Sequence, residues 1–411
     1  MPSAIQDSSA PTSGTYRRLR IHFFAVYGMM GCVSPYLPIY LRDVKAITPG
    51  QLGLILAAGQ SGVLFMPALM TFLADRFRLV ASLLGGLFLI NAVSMGALTL
   101  AQGFWACLIC IVFTQLANQP QIALGDGLFF SLQADRRSPR VKYSSIRVWG
   151  TMGFIAASTA IVAVYSLGAT VAAMPIVALG VAIAGFANTT ALPRRLGAPG
   201  SGAARRLPTL EAARVLAHPG VAALCLGLGL MVMTNAAYYG FYPLYLTQKV
   251  GIDARWVGLI ATVGVTLEIG YMLAFERLRG RLGLRGLILV GGICSVVRLG
   301  ILAAIPHPSA AIGLQVLHGL TVIGVLIAPA MFLNRLAPDH CRNSVQGLYV
   351  MLVVGGFAIA GNIASGRLAE IDLLVLYRAA FAVDLLGLIL VAFALLRGGI
   401  IEPDEPAASD P

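Results

Sequence analysis

Eight ionisable side chains fall inside long apolar stretches of this sequence: His22, Asp126, Arg147, Glu268, Arg298, His318, Arg378 and Asp384. A charge placed in hydrocarbon costs roughly 2.5–3.5 kcal/mol on insertion scales, so such residues mark routes for ions, protons or polar solutes. In the second half of the chain, Glu268, Arg298 and His318 lie on three successive apolar segments. At about 1.5 Å of rise per residue all three come out within the hydrocarbon layer. An acid, a permanent cation and a titratable imidazole at similar depth make a proton site. Protonating Glu268 would remove a buried negative charge, and Arg298 would supply the counter-charge once the proton leaves.

In the first half, Gln115, Asn118, Gln119, Ile122 and Asp126 are spaced to share one helix face, with Pro120 removing a backbone hydrogen bond beside it. Arg147 lies one turn into the next apolar segment and is expected to reach Asp126. An aromatic carboxylate suits this set best, because Arg147 can take the carboxylate while a ring stacks on Trp149 or Tyr239. A sugar or nucleoside would use the same groups, with Asp126 and Arg147 bonding hydroxyls and an aromatic stacking the ring; Asn118 is a further substrate-binding candidate. His22 reads as interfacial. Asp384 has no evident partner, since Arg378 stands six residues earlier on another face, and neither is assigned a role.

These side chains need membrane helices to hold them. Of 411 residues, 58% are hydrophobic and 11% charged, where a soluble domain carries about 25% charged residues. Apolar spans run near 19–41, 50–73, 79–101, 104–131, 144–167 and 169–192, then near 220–247, 255–276, 286–305, 309–335, 344–368 and 371–396. The expected architecture is therefore an all-α membrane protein of 12 transmembrane helices in two pseudo-symmetric six-helix bundles. A tail (1–18) precedes the first bundle (19–192), a basic linker (193–219) follows it, and the second bundle (220–397) ends in a tail (398–411). With both termini cytoplasmic, 21 of the 29 Lys and Arg fall on the inner side, as positively charged loops do. The net charge of +12 thus orients the chain, and no nucleic-acid partner is expected. At an offset of 205 residues, Pro38, Tyr40, Leu41, Gly53, Leu54 and Ile55 repeat as Pro243, Tyr245, Leu246, Gly258, Leu259 and Ile260, the mark of a transporter built from repeats.

Other classes find little support. The six cysteines are scattered, and Cys107 and Cys110 form a CxxC inside an apolar segment without a second ligand pair, so neither a disulfide framework nor a metal is expected. An enzyme would need a nucleophile, a base and an orienting group in reach of one another, and no such set assembles. No cofactor is expected beyond the proton gradient.

Several stretches carry a family likeness. Leu73-Ala74-Asp75-Arg76-Phe77-Arg78, after the second span, resembles the cytoplasmic loop motif of the major facilitator superfamily, with Asp75 and Arg76 in the places tied to conformational change. SSIRVWGTMGF (Ser144–Phe154), AAYYGF (Ala236–Phe241), VGLIATVGVTLEI (Val257–Ile269), SVVRLGI (Ser295–Ile301) and QVLHGL (Gln315–Leu320) resemble the phenylpropionate and lactose permease branch, from about residue 20 to 397. The resemblance implies a proton-coupled symporter of a small organic solute in the bacterial inner membrane, working by alternating access as a monomer in the lipid bilayer. It places Asp126 and Arg147 at the substrate and Glu268, Arg298 and His318 at the coupling site. Thr321 stands where lactose permease has a second Glu.

Overall fold

The computed structural model describes residues 13–77, 79–134, 139–192 and 210–397. Much of the expected tails and linker lies outside these residues, as do Arg78 and the side chain of Asp75. Eight helices make up the first half: α1 (Ser13–Val33), α2 (Leu37–Asp43), α3 (Pro49–Ser61), α4 (Met66–Phe77), α5 (Val80–Leu100), α6 (Gly103–Ala134), α7 (Tyr143–Ser166) and α8 (Met174–Thr189). The second half holds α9 (Leu210–Ala217), α10 (Pro219–Gln248), α11 (Val257–Leu273), α12 (Phe275–Ala304), α13 (Pro308–Gly313), α14 (His318–Val322), α15 (Ala328–Leu336), α16 (Arg342–Leu348), α17 (Phe357–Ile371) and α18 (Leu373–Arg397).

Among the described residues, ten helical segments are long and apolar enough to cross a membrane, and α1 with α2 forms an eleventh, bent by 41°. The remaining expected span, 50–73, is divided into α3 and α4 by a short 3₁₀ turn at Gly62–Leu64. Pro67, at the start of α4, lacks the N–H that would continue the helix, and its ring crowds the carbonyl four residues back. The same penalty acts at Pro120 and Pro243, yet there the helices α6 and α10 run on. Packing on both sides outweighs one lost bond at those two sites.

Two compact units emerge. Among the described residues, one comprises those up to Ser34 with 65–192, the other 35–64 with 210–397. They differ from the sequence halves in one place, because α2 and α3 belong with the second. In that unit α3 packs along α17, where a side chain on Gly53 would meet the Asn362 carbonyl at 2.4 Å and Gly366 Cα at 2.8 Å. Glu370 of α17 then closes the end of α3, accepting from the Thr48 hydroxyl at 3.0 Å and the Gly50 amide at 3.1 Å. A carboxylate is well placed there, at the positive end of a helix whose first amides lack partners.

The internal repeat is visible in the backbone. After α2, the amides of Val44 and Lys45 bond the Tyr40 carbonyl and the amide of Ile47 bonds Leu41. After α10, 205 residues on, Lys249 and Val250 bond Tyr245 and Ile252 bonds Leu246 in the same pattern. Each loop turns through one left-handed residue, Ala46 at φ 54° and Gly251 at φ 78°. An L-residue pays roughly 1–2 kcal/mol for that conformation and glycine does not. Ala46→Gly should therefore be neutral or raise the melting temperature, and Gly251→Ala should lower it by the equivalent of about 1 kcal/mol. Equal effects from the two substitutions would refute this assignment of strain.

The second of these loops is tied to the α17–α18 junction by an ion pair between Lys249 and Asp372, and Asp372 also caps α18 by accepting from the Leu374 amide at 2.6 Å. The hydrogen bond from Lys249 is the main reason that the Asp372 carboxyl sits below its ordinary range. A carboxylate so lowered adds stability above its unfolded value of about 3.9 and loses it as the pH falls through the folded value. The gap in melting temperature between wild type and Asp372→Asn should accordingly narrow as the pH drops below about 4. A gap that stays constant would remove the charge from the account.

Candidate functional site

In the first unit, α1, α6 and α7 carry the polar groups. Gly153 brings α7 against α1, since a Cβ there would lie 2.1 Å from the Phe24 carbonyl oxygen. Gly150 admits the ring of Tyr27, whose Cδ2 would be 2.8 Å from such a Cβ. Arg147 is laid across α1 as a result. Its guanidinium sits 4.1 Å from the Tyr27 ring centre and 5.5 Å from that of Phe23, and it donates to the Tyr27 hydroxyl. Such cation–aromatic stacking is worth roughly 0.5–2 kcal/mol, more when desolvated.

The expected ion pair between Asp126 and Arg147 does not form. Asp126 accepts from the Tyr143 hydroxyl at 2.7 Å, because Tyr143 begins α7 one turn before Arg147. Asn118 is buried and its carbonyl oxygen is taken by the Asn91 amide at 2.7 Å, joining α6 to α5. Trp149 is exposed; two residues from Arg147, it is turned about 200° around the helix and does not flank the guanidinium. Tyr27 and Phe23 supply that aromatic wall instead. His22, expected at the interface, is fully buried. Its Nε2 bonds the Gln121 carbonyl at 3.2 Å, and Gly125 leaves the room for it. Arg76 is exposed near the end of α4.

The second unit gathers its own cluster on α10, α11, α12 and α14. Glycines again set the spacing: a Cβ on Gly264 would meet the Gln315 side chain at 2.5 Å, and one on Gly319 would meet Glu268 Cα at 2.8 Å. The close approach of α11 and α14 brings His318 Nε2 to 3.4 Å from Glu268 Oε2. Tyr239, a candidate for ring stacking, meets the His318 ring edge-on at 5.9 Å.

Arg298 is not part of that pair. Entirely buried, it donates to the Asn235 side-chain carbonyl at 2.7 Å and lies over the Tyr238 ring at 3.9 Å. Tyr238 stacks on Tyr242 at 4.7 Å, and the Gln315 amide donates to both hydroxyls at 3.1 Å. Arg298 and the Glu268–His318 pair are thus linked through Tyr238 and Gln315, the latter one turn before His318. Thr321, where the permease resemblance has an acid, donates its hydroxyl to the Leu317 carbonyl at 3.0 Å.

Sequence reading passed over Asn235, Thr234 and the partner of Asp384. Thr234 and Asn235 interrupt the apolar run of α10, a signal of the same kind as the mid-span charges. Asp384 sits at the centre of the buried stripe of α18 that runs through Leu376, Tyr377, Ala380, Gly387, Val391 and Ala394, a three-and-four spacing that was legible in advance.

Ten unbroken spans with polar clusters set into them define a polytopic membrane protein. Residues 16–379 match the model of the MFS_1 like family, and the chain belongs to that family. It is a membrane transporter and not an enzyme. Among its relatives are a protein named as a probable 3-phenylpropionic acid transporter of Escherichia coli K12, 28% identical over 86% of this chain and 91% of its own length, and a maltose permease of Geobacillus stearothermophilus, 26% identical over 85% and 86%. A xanthosine permease of Escherichia coli K12 is 24% identical over 86% and 87%. In fold the chain is similar to the crystal structure of the nucleoside transporter NupG, with a TM-score of 0.75 at 18% identity over 93% of this chain and 98% of that one.

Proposed function

We propose that this transporter is a proton-coupled symporter of a small aromatic carboxylate, phenylpropionate-like, working by alternating access as a monomer in a bacterial inner membrane with both termini cytoplasmic. The observation that carries the substrate class is the guanidinium of Arg147 against the faces of Tyr27 and Phe23. A planar fork takes a carboxylate through two parallel bonds, and the flanking rings offer apolar surface to the aromatic end of the same molecule. The phenylpropionic acid relative supports the same choice.

The Glu268–His318 pair is the coupling site in this reading. Its imidazole and carboxylate exchange a proton within reach of the cationic Arg298, and the proton gradient is the energy source. Asp75 and Arg76 act on the conformational change. A sugar or nucleoside is the second reading, favoured by the permease relatives and by the amide and phenol groups of Gln315, Tyr238 and Tyr242, which suit hydroxyls. A thermal-shift series of phenylpropionates, disaccharides and nucleosides separates the two, because a ligand that binds the folded state raises its melting temperature.

Accumulation of labelled 3-phenylpropionate in energised vesicles should collapse with a protonophore, and accumulation that survives would end the symport reading. Glu268→Gln should abolish uphill transport while sparing counterflow exchange; loss of both would make Glu268 a binding residue. Arg147→Lys should weaken binding by about tenfold or more, the equivalent of one charge-assisted bond of roughly 1.5–3 kcal/mol, and unchanged affinity would count against Arg147 as the carboxylate anchor.

A further inference from the structure

Asp384, in mid-helix on α18, is fully excluded from solvent and forms no ion pair within 4.0 Å among the described residues. Its Oδ1 lies 2.5 Å from the Thr234 hydroxyl, which itself lies 2.8 Å from the Met231 carbonyl oxygen. A hydroxyl has one proton to give, and a carbonyl has none. If that proton goes to Met231, the contact between Thr234 and Asp384 needs a second proton, and the carboxyl is its only source. At the other oxygen, Oδ2 has no partner, and neither does the Ser295 hydroxyl beside it on α12. Protonation of Oδ1 provides that donor, and the Ser295 hydroxyl has a proton of its own to offer Oδ2.

Burial points the same way. An isolated carboxylate out of water costs several kcal/mol even after relaxation, whereas a neutral acid with hydroxyl partners does not. The helices packed against α18 supply the groups around Asp384. Thr234 of α10 and Ser295 and Arg298 of α12 act on it directly; Cys294, Tyr238 and Tyr377 surround Arg298 in turn. The charged groups of α17, Arg367 and Glu370, are exposed, as is Arg378. Arg298 is therefore the counter-charge, yet it points to Asn235 and Tyr238, and its Nε and Nη1 have no hydrogen-bond partner. A guanidinium with spare donors beside a buried acid is what a displaceable proton requires.

We infer that Asp384 is a proton-binding site of the second unit, holding a proton between α18, Thr234 and Ser295, and that losing this proton draws Arg298 from Tyr238 toward Asp384. A small, largely apolar crevice of about 40 Å³ between α10, α17 and α18 is bordered by Thr234, Ala237, Ser365 and Val383. Because Tyr238 is bonded to Gln315, movement of Arg298 is felt one turn from His318. The part this proton plays in transport rests on the symport reading; its presence on Asp384 does not.

Infrared spectroscopy of the full chain in proteoliposomes, titrated from neutral into the mildly acidic range, tests the site without a substrate. The carboxylic C=O stretch, identified by its shift in heavy water, should be lost in Asp384→Asn and displaced in Thr234→Val, which removes one hydrogen bond. A spectrum that neither variant changes overturns the inference, and Thr234→Val alone decides it if Asp384→Asn does not fold. Labelled 3-phenylpropionate supplies the second readout: Asp384→Asn should lose uphill accumulation and the pH dependence of exchange while exchange itself persists. Accumulation insensitive to a protonophore, with the Asp384 band present, would remove the symport reading and leave the site. Protonophore-sensitive accumulation without the band would do the reverse.

Discussion

In a bilayer, every backbone polar group must find its partner inside the protein, because hydrocarbon offers none. The rest of this structure follows from that constraint. Helices satisfy the backbone, and what remains to be satisfied is a small set of side chains, each of which forces two helices into a fixed register. Asn91 holds Asn118, Tyr143 holds Asp126, Asn235 holds Arg298 and Thr234 holds Asp384. Apolar packing between helices is weakly directional, so these few bonds decide which faces meet.

Glycine supplies the proximity that the bonds need. Gly153 and Gly150 let α7 lie on α1 and carry Arg147 to Tyr27, while Gly264 and Gly319 bring His318 to Glu268. Along α3 and α17, Gly53 and Gly366 allow backbone contact, and Glu370 then reaches the start of α3. A side chain at any of these points would push apart the elements that hold the polar groups. Close approach and polar pairing are thus one device.

The two units solve the charge problem differently. In the first, Arg147 is spread over aromatic faces and its expected acid is occupied elsewhere. In the second, Glu268 is held by a histidine, Asp384 by the Thr234 hydroxyl, and Arg298 sits on a tyrosine.

The sequence alone was enough to establish the membrane class, most of the spans, the repeat at 205 residues and the mid-span charges, because hydropathy, charge bias and helical spacing are local properties. It also placed Glu268 with His318. Pairing across helices was not legible: Asp126 with Tyr143, Arg147 with Tyr27, Arg298 with Asn235 and Asp384 with Thr234 each depend on the rotation and closeness of two helices. So does the seating of α3 against α17 and of α2 against α10. Those choices belong to the tertiary structure, since glycine contacts and side-chain bonds between distant segments set helix rotation, and no periodicity within a single segment records it.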